Sequence, residues 1–240
     1  MNASSAPYFG ELTNASRCLR GFLSFIRSVA IALSISALPA ALSGCNSLYF
    51  ASMEKLGYAK RDLMVSRIRD ANETQKATKK QFENALEEFR SVVSVKGGDL
   101  EKNYYRLDRE LKKSESVADE LKTRVSRIED VSDALFREWR KELSEYQNAD
   151  LKQRSAAKLD HARERYDQMI AVMHRATERL DPALRPMKDN VLFLKHNLNA
   201  AAIGSLDRET TVVEENVDSL IRNLDHSISE AQAFIETIKD

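Results

Sequence analysis

One stretch near the end of the chain, residues 190–203, places polar side chains within an apolar run. His196 could transfer a proton, since an imidazole titrates near neutral pH, and the neighbouring amides could bind a small polar ligand. Buried amides also form hydrogen-bonded networks that fix the register of packed helices, and we favour this structural interpretation. The apolar residues cover more than one helix face, which predicts a helix surrounded by others. The candidate residues are Asn190, Lys195, His196, Asn197 and Asn199.

No other set of side chains predicts a catalytic or metal site. The sequence has no serine in a Gly-x-Ser-x-Gly turn, and no glycine-rich phosphate loop is predicted because no strand is predicted. The histidines are too far apart for a local zinc motif. We therefore predict a protein that is not an enzyme and holds neither a metal nor a cofactor. The four histidines are His161, His174, His196 and His226.

The amino-terminal region has the layout of a secretory signal: a basic start, a short apolar centre and small residues at its end. The apolar run from Val29 to Leu42 follows Arg17 and Arg20. At about 14 residues the run is short for a bilayer span, which needs roughly 20. The predicted division is a signal peptide at residues 1–44, a short tether at 45–52 and a single elongated helical domain at 53–240.

The signal ends in Leu42-Ser43-Gly44-Cys45, which resembles the lipobox of bacterial lipoproteins. The resemblance implies that a diacylglycerol is attached to the Cys45 thiol and that a dedicated peptidase cleaves between Gly44 and Cys45. The only other cysteine, Cys18, lies in the leader. The mature chain would therefore have no disulfide, and its acyl chains together would anchor it to a membrane.

The residue after the lipobox cysteine indicates a location by resemblance. Enteric bacteria retain lipoproteins with Asp at this position in the inner membrane, whereas this chain has Asn46. We therefore expect the periplasmic face of the outer membrane, with the inner membrane as the alternative. In either case the predicted partner is a membrane, bound through the covalent lipid on Cys45.

Long helices must position these candidates, because apolar and small residues recur at alternating spacings of three and four along the mature chain. From Cys45 onward only four glycines and two prolines occur, too few for the turns of a β protein. We interpret Trp139, in the longest series, as a packing anchor rather than a ligand platform. That series is Leu100, Tyr104, Leu107, Leu111, Ser114, Ala118, Leu121, Val125, Ile128, Ser132, Leu135 and Trp139.

Lys96-Gly97-Gly98-Asp99 separates this series from a similar one upstream. The two glycines stop the first helix, and Asp99 is a natural N-cap for the second. Folding back at this turn brings Phe82 to Ser114 and Ile68 to Ile128, which predicts an antiparallel hairpin with arms of about 65–70 Å at 1.5 Å per residue. The upstream series has polar middle positions: Val65, Ile68, Asn72, Gln75, Lys79, Phe82, Leu86, Phe89 and Val93.

A third helix is predicted from about Leu151 to Leu180, after a short turn at residues 148–150. Asp181-Pro182 marks a stop and restart, with the aspartate as the cap and the proline at the first helical position. Pro186 lies one turn further on, so the fourth helix could begin there instead.

The fourth helix is predicted to continue to the end of the chain, with a bend or bulge near Gly204, where the apolar pattern shifts phase. The predicted fold is all-α: a long antiparallel helical hairpin within a coiled-coil-like bundle of about four helices. Lys+Arg and Asp+Glu are equal at 37 each. This balance gives no electrostatic bias toward nucleic acid, so no nucleic-acid partner is predicted.

Five segments resemble an uncharacterised proteobacterial family of helical lipoproteins, classed as a domain of unknown function. The segments are Met53–Gly57, Lys60–Asp62, Gly97–Glu101, Ala134–Trp139 and Leu194–Ala200. The resemblance spans most of the mature chain. It implies a helical fold and an envelope location, and it brings no catalytic residue, cofactor or substrate.

The sequence thus favours a lipid-anchored periplasmic structural or scaffold protein that acts through helical contacts with an envelope protein. The alternative is a ligand-binding module with a polar site around His196. Both hypotheses leave the oligomeric state open.

Overall fold

The computed structural model describes residues 60–94, 99–197 and 200–239, with the side chains of 200–203 and 239 left aside. These residues belong to one compact unit, Gly57–Asp240. The predicted signal peptide, the tether, Gly44, Cys45 and Asn199 lie outside the described residues.

The prediction of an all-α fold is confirmed, because the described residues form five helices and no strand. The helices are α1 (Lys60–Ser94), α2 (Leu100–Glu142), α3 (Ala149–Glu178), α4 (Leu180–His196) and α5 (Ala200–Lys239).

The predicted antiparallel hairpin is formed by α1 and α2. Lys60 Nζ lies 2.8 Å from Glu138 Oε1, and Gln81 Nε2 lies 3.4 Å from Ser114 Oγ. Residues later in α1 therefore contact residues earlier in α2, so the two helices are antiparallel. The 43 residues of α2 correspond to about 65 Å, and the 35 described residues of α1 to about 52 Å.

Two helix starts are capped by side chains. Asp99 accepts a hydrogen bond from the Lys102 amide at 3.0 Å, as predicted, and Asn148 accepts one from the Leu151 amide at 3.1 Å. Each carboxylate or amide oxygen satisfies an N–H group that has no partner in the first turn. The turn before α3 spans residues 143–148 and is longer than the predicted 148–150, since α2 ends at Glu142 and α3 begins at Ala149.

The prediction that Asp181 caps the fourth helix is wrong. α4 begins at Leu180 after a single non-helical residue, Arg179, which makes no side-chain capping bond. Asp181 lies within the first turn, and its carboxylate accepts a hydrogen bond from Lys122 Nζ on α2 at 2.7 Å. Pro182 is tolerated in this first turn, where backbone N–H groups have no acceptor within the helix, and α4 continues through Pro186.

The prediction of one continuous helix with a bend near Gly204 is also wrong. α4 ends at His196, Asn197 has φ −133° and ψ 62°, and α5 contains Gly204. The Asn197 side chain donates to the Phe193 carbonyl at 2.9 Å, while its backbone N–H bonds to Leu194 O at 3.2 Å. The backbone N–H of Asn197 thus bonds three residues back rather than four, as in the tightened last turn of a helix, and α4 ends here.

The helices form a bundle with four arms, since α3 and α4 follow one another along α2. Trp139 Nε1 on α2 donates to Ser155 Oγ on α3 at 2.9 Å, and Lys188 on α4 pairs with Glu115 on α2 at 3.1 Å. α5 runs antiparallel to α1 and also packs on α3 and α4. Its pairs with α1 are Arg90–Glu214 at 2.6 Å and Lys79–Asp225 at 2.7 Å.

We call the end where α1 begins the proximal end; it also contains the end of α2, the start of α3 and the end of α5. The opposite end, with the junctions α1–α2 and α4–α5, is the distal end.

The predicted seam of α2 is buried from Leu107 to Ser132. Nearer the proximal end the buried residue is Phe136, whereas Trp139 is half-exposed. In α1 the predicted positions Asn72 and Gln75 are buried, but the next buried position is Thr78 rather than Lys79, which lies half-exposed beside Asp225. Because α1 packs against both α2 and α5, its buried face is wider than a two-helix seam requires.

Candidate functional site

The structure separates the polar residues that the sequence placed in one candidate site. Asn190 is buried, with 6% of its surface exposed, and its Nδ2 donates to Pro186 O at 2.7 Å within the same helix. Lys195 and His196 are exposed and Asn197 is half-exposed. The described members of the stretch therefore do not form one buried network.

The prediction that α4 is surrounded by other helices is wrong. Leu192 is 55% exposed and Phe193 is 42% exposed. The buried residues of α4 form a single face: Leu180, Ala183, Met187, Asn190, Val191 and Leu194. The extra apolar residues of this helix thus face solvent, and adjacent exposed apolar side chains are a feature of interaction surfaces.

A groove of about 710 Å³ runs between α4 and α5 in the distal half of the bundle. Phe193 lines it from α4, and Val212, which is 43% exposed, lines it from α5. Asn190 also lines this groove, whereas His196 does not. We call it the α4–α5 groove; its charged lining residues are Arg185, Asp189, Arg208 and Glu209.

A second groove, of about 800 Å³, lies at the proximal end between α2, α3 and α5, with Arg61 of α1 at its edge. We call it the Trp139 groove. The Trp139 indole N–H donates to Ser155 Oγ, which holds the ring in one orientation. The apolar lining residues are Leu135, Trp139, Ala157, Ala162, Phe234 and Ile238, and the remaining ones are Arg61, Glu138, Glu142, Lys158, His161 and Thr237.

A buried aromatic cluster adjoins the Trp139 groove through Phe234, the member of the cluster that lines the groove. The ring centroids of Phe136 and Tyr166 lie 5.5 Å apart, and those of Tyr166 and Phe234 lie 6.3 Å apart, both in edge-on geometry. The Arg163 guanidinium lies over both Phe136 and Tyr166, at 5.2 and 5.6 Å. Such contacts stabilise aromatic clusters beyond simple burial.

Burial raises the pKa of Tyr166 to about 12, although a hydrogen bond with Ser132 lowers it. The phenol therefore stays protonated at physiological pH, and its role is packing. Phe234 belongs both to the cluster and to the lining of the groove.

Sequence reasoning missed the Trp139 groove, because its walls come from helices that are distant along the chain. The only local signal was Trp139 itself, which we interpreted as a packing anchor. A tryptophan at the end of a buried series, one turn beyond the last fully buried residue, is the feature that could have indicated it.

Outside these two grooves, titratable groups gather in a third groove of about 860 Å³ between α3 and α5, which is lined mainly by charged side chains of both signs. His174 Nε2 lies 2.9 Å from Glu129 Oε1, and this pair links α3 to α2 at the surface. Among the described residues no three His, Cys, Asp or Glu side chains are close enough to hold a metal ion together. Within the same residues, no helix has the length and hydropathy of a membrane span.

Comparison with known proteins gives one result. A family model described as "Protein of unknown function (DUF2959)" matches residues 49–238. No curated protein matches the chain. The family match covers α1 to α4 and all of α5 except Lys239.

Proposed function

This chain belongs to the DUF2959 family of proteins of unknown function, and we propose from its own residues that it is a non-enzymatic, lipid-anchored scaffold of the cell envelope. In this role it is attached to the periplasmic face of the outer membrane through Cys45. It binds another envelope protein along the α4–α5 groove.

The exposure of Leu192 and Phe193 beside the α4–α5 groove is the observation that carries the proposal. Both side chains belong to a helix whose inner face is already buried. Exposed apolar side chains that lie together next to a groove are typical of protein interaction surfaces. Two antiparallel helices that lie side by side with apolar residues between them can accommodate the apolar face of a partner helix.

Charges at the α4–α5 groove support a specific partner rather than general adhesion. Each wall carries one cation and one anion: Arg185 and Asp189 on α4, and Arg208 and Glu209 on α5. Mixed charges at the rim of an interface select a partner with the complementary pattern and reject others by like-charge repulsion.

A photocrosslinking amino acid placed at Phe193 in living cells tests the protein contact. We expect one discrete adduct, and we expect it to disappear when Val212→Asp is introduced on the opposite wall. The control position is Leu151, which is 49% exposed on α3, far from the groove. Equal crosslinking from both positions would contradict a partner site at the groove.

The lipid anchor is supported by the lipobox residues Leu42-Ser43-Gly44-Cys45. Metabolic labelling with a fatty acid, followed by membrane fractionation, tests it. We expect label and membrane association in the natural chain and neither in Cys45→Ser. A mature protein whose mass includes residues 1–44 would refute the anchor without affecting the groove.

A second candidate function is the binding of a small ligand, and Asn190 favours it by lining the α4–α5 groove. The groove volume lies within the range of about 300–1,000 Å³ that small-molecule sites have. Native mass spectrometry of the purified chain should then show a bound molecule that is absent from Val212→Trp, a change that fills the groove. The His196→Ala control should retain the ligand, because His196 does not line the groove.

A further inference from the structure

We propose that the protein at the α4–α5 groove is a second copy of this chain, with the two α4 helices packed antiparallel about a two-fold axis. This inference rests on the proposed function, because it names the occupant of the same groove. The contact is reciprocal: the α4 helix that lines the groove of one copy enters the groove of the other. A two-fold contact of this kind needs a surface that is complementary to itself.

Four residues of α4 line the α4–α5 groove in a stripe whose spacing is the same in both directions. They are Pro182, Pro186, Asp189 and Phe193, at spacings of four, three and four residues. Such spacings keep side chains on one face of a helix. When the stripe is laid antiparallel on its copy, Pro182 lies opposite Phe193 at both ends. The apolar ends of the stripe therefore contact apolar ends.

The two-fold axis falls at the middle of α4. The stripe is centred between Met187 and Lys188, and Lys188 is the middle residue of the helix Leu180–His196. The two copies of α4 therefore overlap over nearly their full length, about 25 Å at 1.5 Å per residue. Leu192 and Phe193, which are the exposed large apolar residues of α4, both lie within this overlap.

The charges beside the stripe are complementary in the antiparallel arrangement. Arg185 and Asp189 are exposed, and neither forms an ion pair with a described residue, whereas Lys188 elsewhere on α4 is paired with Glu115. In the antiparallel pair, Arg185 of one copy lies opposite position 190 and thus beside Asp189 of the other. The symmetry repeats this contact. A parallel pair would instead place Arg185 against Arg185, which like-charge repulsion disfavours.

The α5 wall of the groove has the same balance of charge. Arg208 and Glu209 are exposed there, again without an ion pair to a described residue, next to the exposed Val212. A strongly basic or strongly acidic helix would meet like charges on either wall. The groove side of α4 carries one charge of each sign, Arg185 and Asp189, so a second α4 fits the groove where such helices do not.

Photocrosslinking in cells that contain two differently tagged copies of the chain tests this partner. The photoreactive amino acid replaces Phe193 in the first copy. We expect a covalent adduct that carries both tags, with the crosslink on the second copy mapped by mass spectrometry to the start of α4 near Pro182. A covalent readout excludes copies that merely share a detergent micelle.

Charge reversals test the antiparallel register. Arg185→Asp in both copies places acidic side chains on both sides of each contact, and Asp189→Arg in both copies places basic ones there. Each should lower the yield of the two-tag adduct at least about fivefold, because like charges then face one another. Arg185→Asp in one copy with Asp189→Arg in the other restores opposite charges, and the yield should return to at least about half of that of the natural pair.

Glu145→Arg in both copies is the matched control, since it reverses one exposed charge in the turn after α2 at the proximal end. It should crosslink like the natural pair, because Glu145 does not line the groove.

The outcomes separate this inference from the proposed function. A discrete adduct with a different envelope protein, without the second tag, would overturn the second copy and would support a partner at the groove. The absence of any adduct from Phe193 would overturn both. The inference also fails if the mixed pair of variants does not recover the adduct, or if the crosslink maps to Phe193 of the second copy, as a parallel pair would give.

Discussion

At the scale of single residues, two buried polar atoms on facing helices have no hydrogen-bond partner among the described residues. They are Oε1 of Gln75 on α1 and Oγ of Ser227 on α5. Nearby, Asn72 Nδ2 donates to Ile228 O at 3.4 Å, and Gln75 Nε2 donates to Asn72 Oδ1 at 3.4 Å. A polar group that is buried without a partner reduces stability, whereas a satisfied one does not.

Ser227→Ala should therefore leave the free energy of unfolding unchanged or raise it by about 1 kcal/mol, because it removes a hydroxyl that lacks a partner. Ser114→Ala is the matched control. Ser114 is equally buried, but its hydroxyl donates to Glu110 O at 2.8 Å and accepts from Gln81.

The control substitution should lower the free energy of unfolding by about 1 kcal/mol. Urea denaturation of the two variants and the parent chain measures both effects. Equal losses in both variants would mean that Ser227 is bonded in the folded protein.

At the scale of helices, local signals located the hairpin but not every helix end. Gly97-Gly98 followed by Asp99 predicted a stop and a cap, because glycine and capping aspartate act on the backbone beside them. The break between α4 and α5 was misplaced to Gly204. The non-helical backbone of Asn197, where α4 ends, is not indicated by the spacing of apolar residues.

Asp99→Ala should lower the free energy of unfolding by about 1 kcal/mol, the usual effect of losing an N-cap. Asp108→Ala removes a carboxylate from the same helix, where it pairs with Lys112 four residues on at 2.7 Å. That change should lower the free energy by less than about 0.5 kcal/mol. Thermal unfolding of both variants measures the difference, and a loss at Asp108 that equals the loss at Asp99 would argue against capping.

At the scale of the whole molecule, the sequence predicted which faces pack but not where grooves lie between arms. The series from Leu107 to Ser132 was correct because burial follows helix periodicity directly. The Trp139 groove could not be predicted in the same way, since its walls come from α2, α3 and α5, which are distant along the chain. Likewise, Leu192 and Phe193 are apolar like core residues. They are exposed because α4 has neighbouring helices on one face alone.

Phe136 joins three arms through Tyr166 and Phe234, so Phe136→Ala should lower the free energy of unfolding by about 3–5 kcal/mol. Leu151→Ala, at an exposed position of α3, should change it by less than about 0.5 kcal/mol. Chemical denaturation followed by circular dichroism compares them. A small effect at Phe136 would show that the aromatic cluster does not connect the arms.

α4 is bounded by non-helical residues at both ends, Arg179 and Asn197, and its interior contains Pro186, which has no N–H to donate. We expect the backbone amides of α4 to exchange with deuterium at least tenfold faster than those in the middle of α2, measured by mass spectrometry. If the amides of α4 were protected from exchange as strongly as those of α2, the two helices would unfold only together.

Faster exchange in α4 alone would mean that this helix detaches while α2 and α5 stay packed on α1. The vacated site would be a trough between α2 and α5, shaped for a helix of about 17 residues. A helix of another protein with a similar apolar face could bind in that site. Two copies of the chain could also exchange α4 by domain swapping.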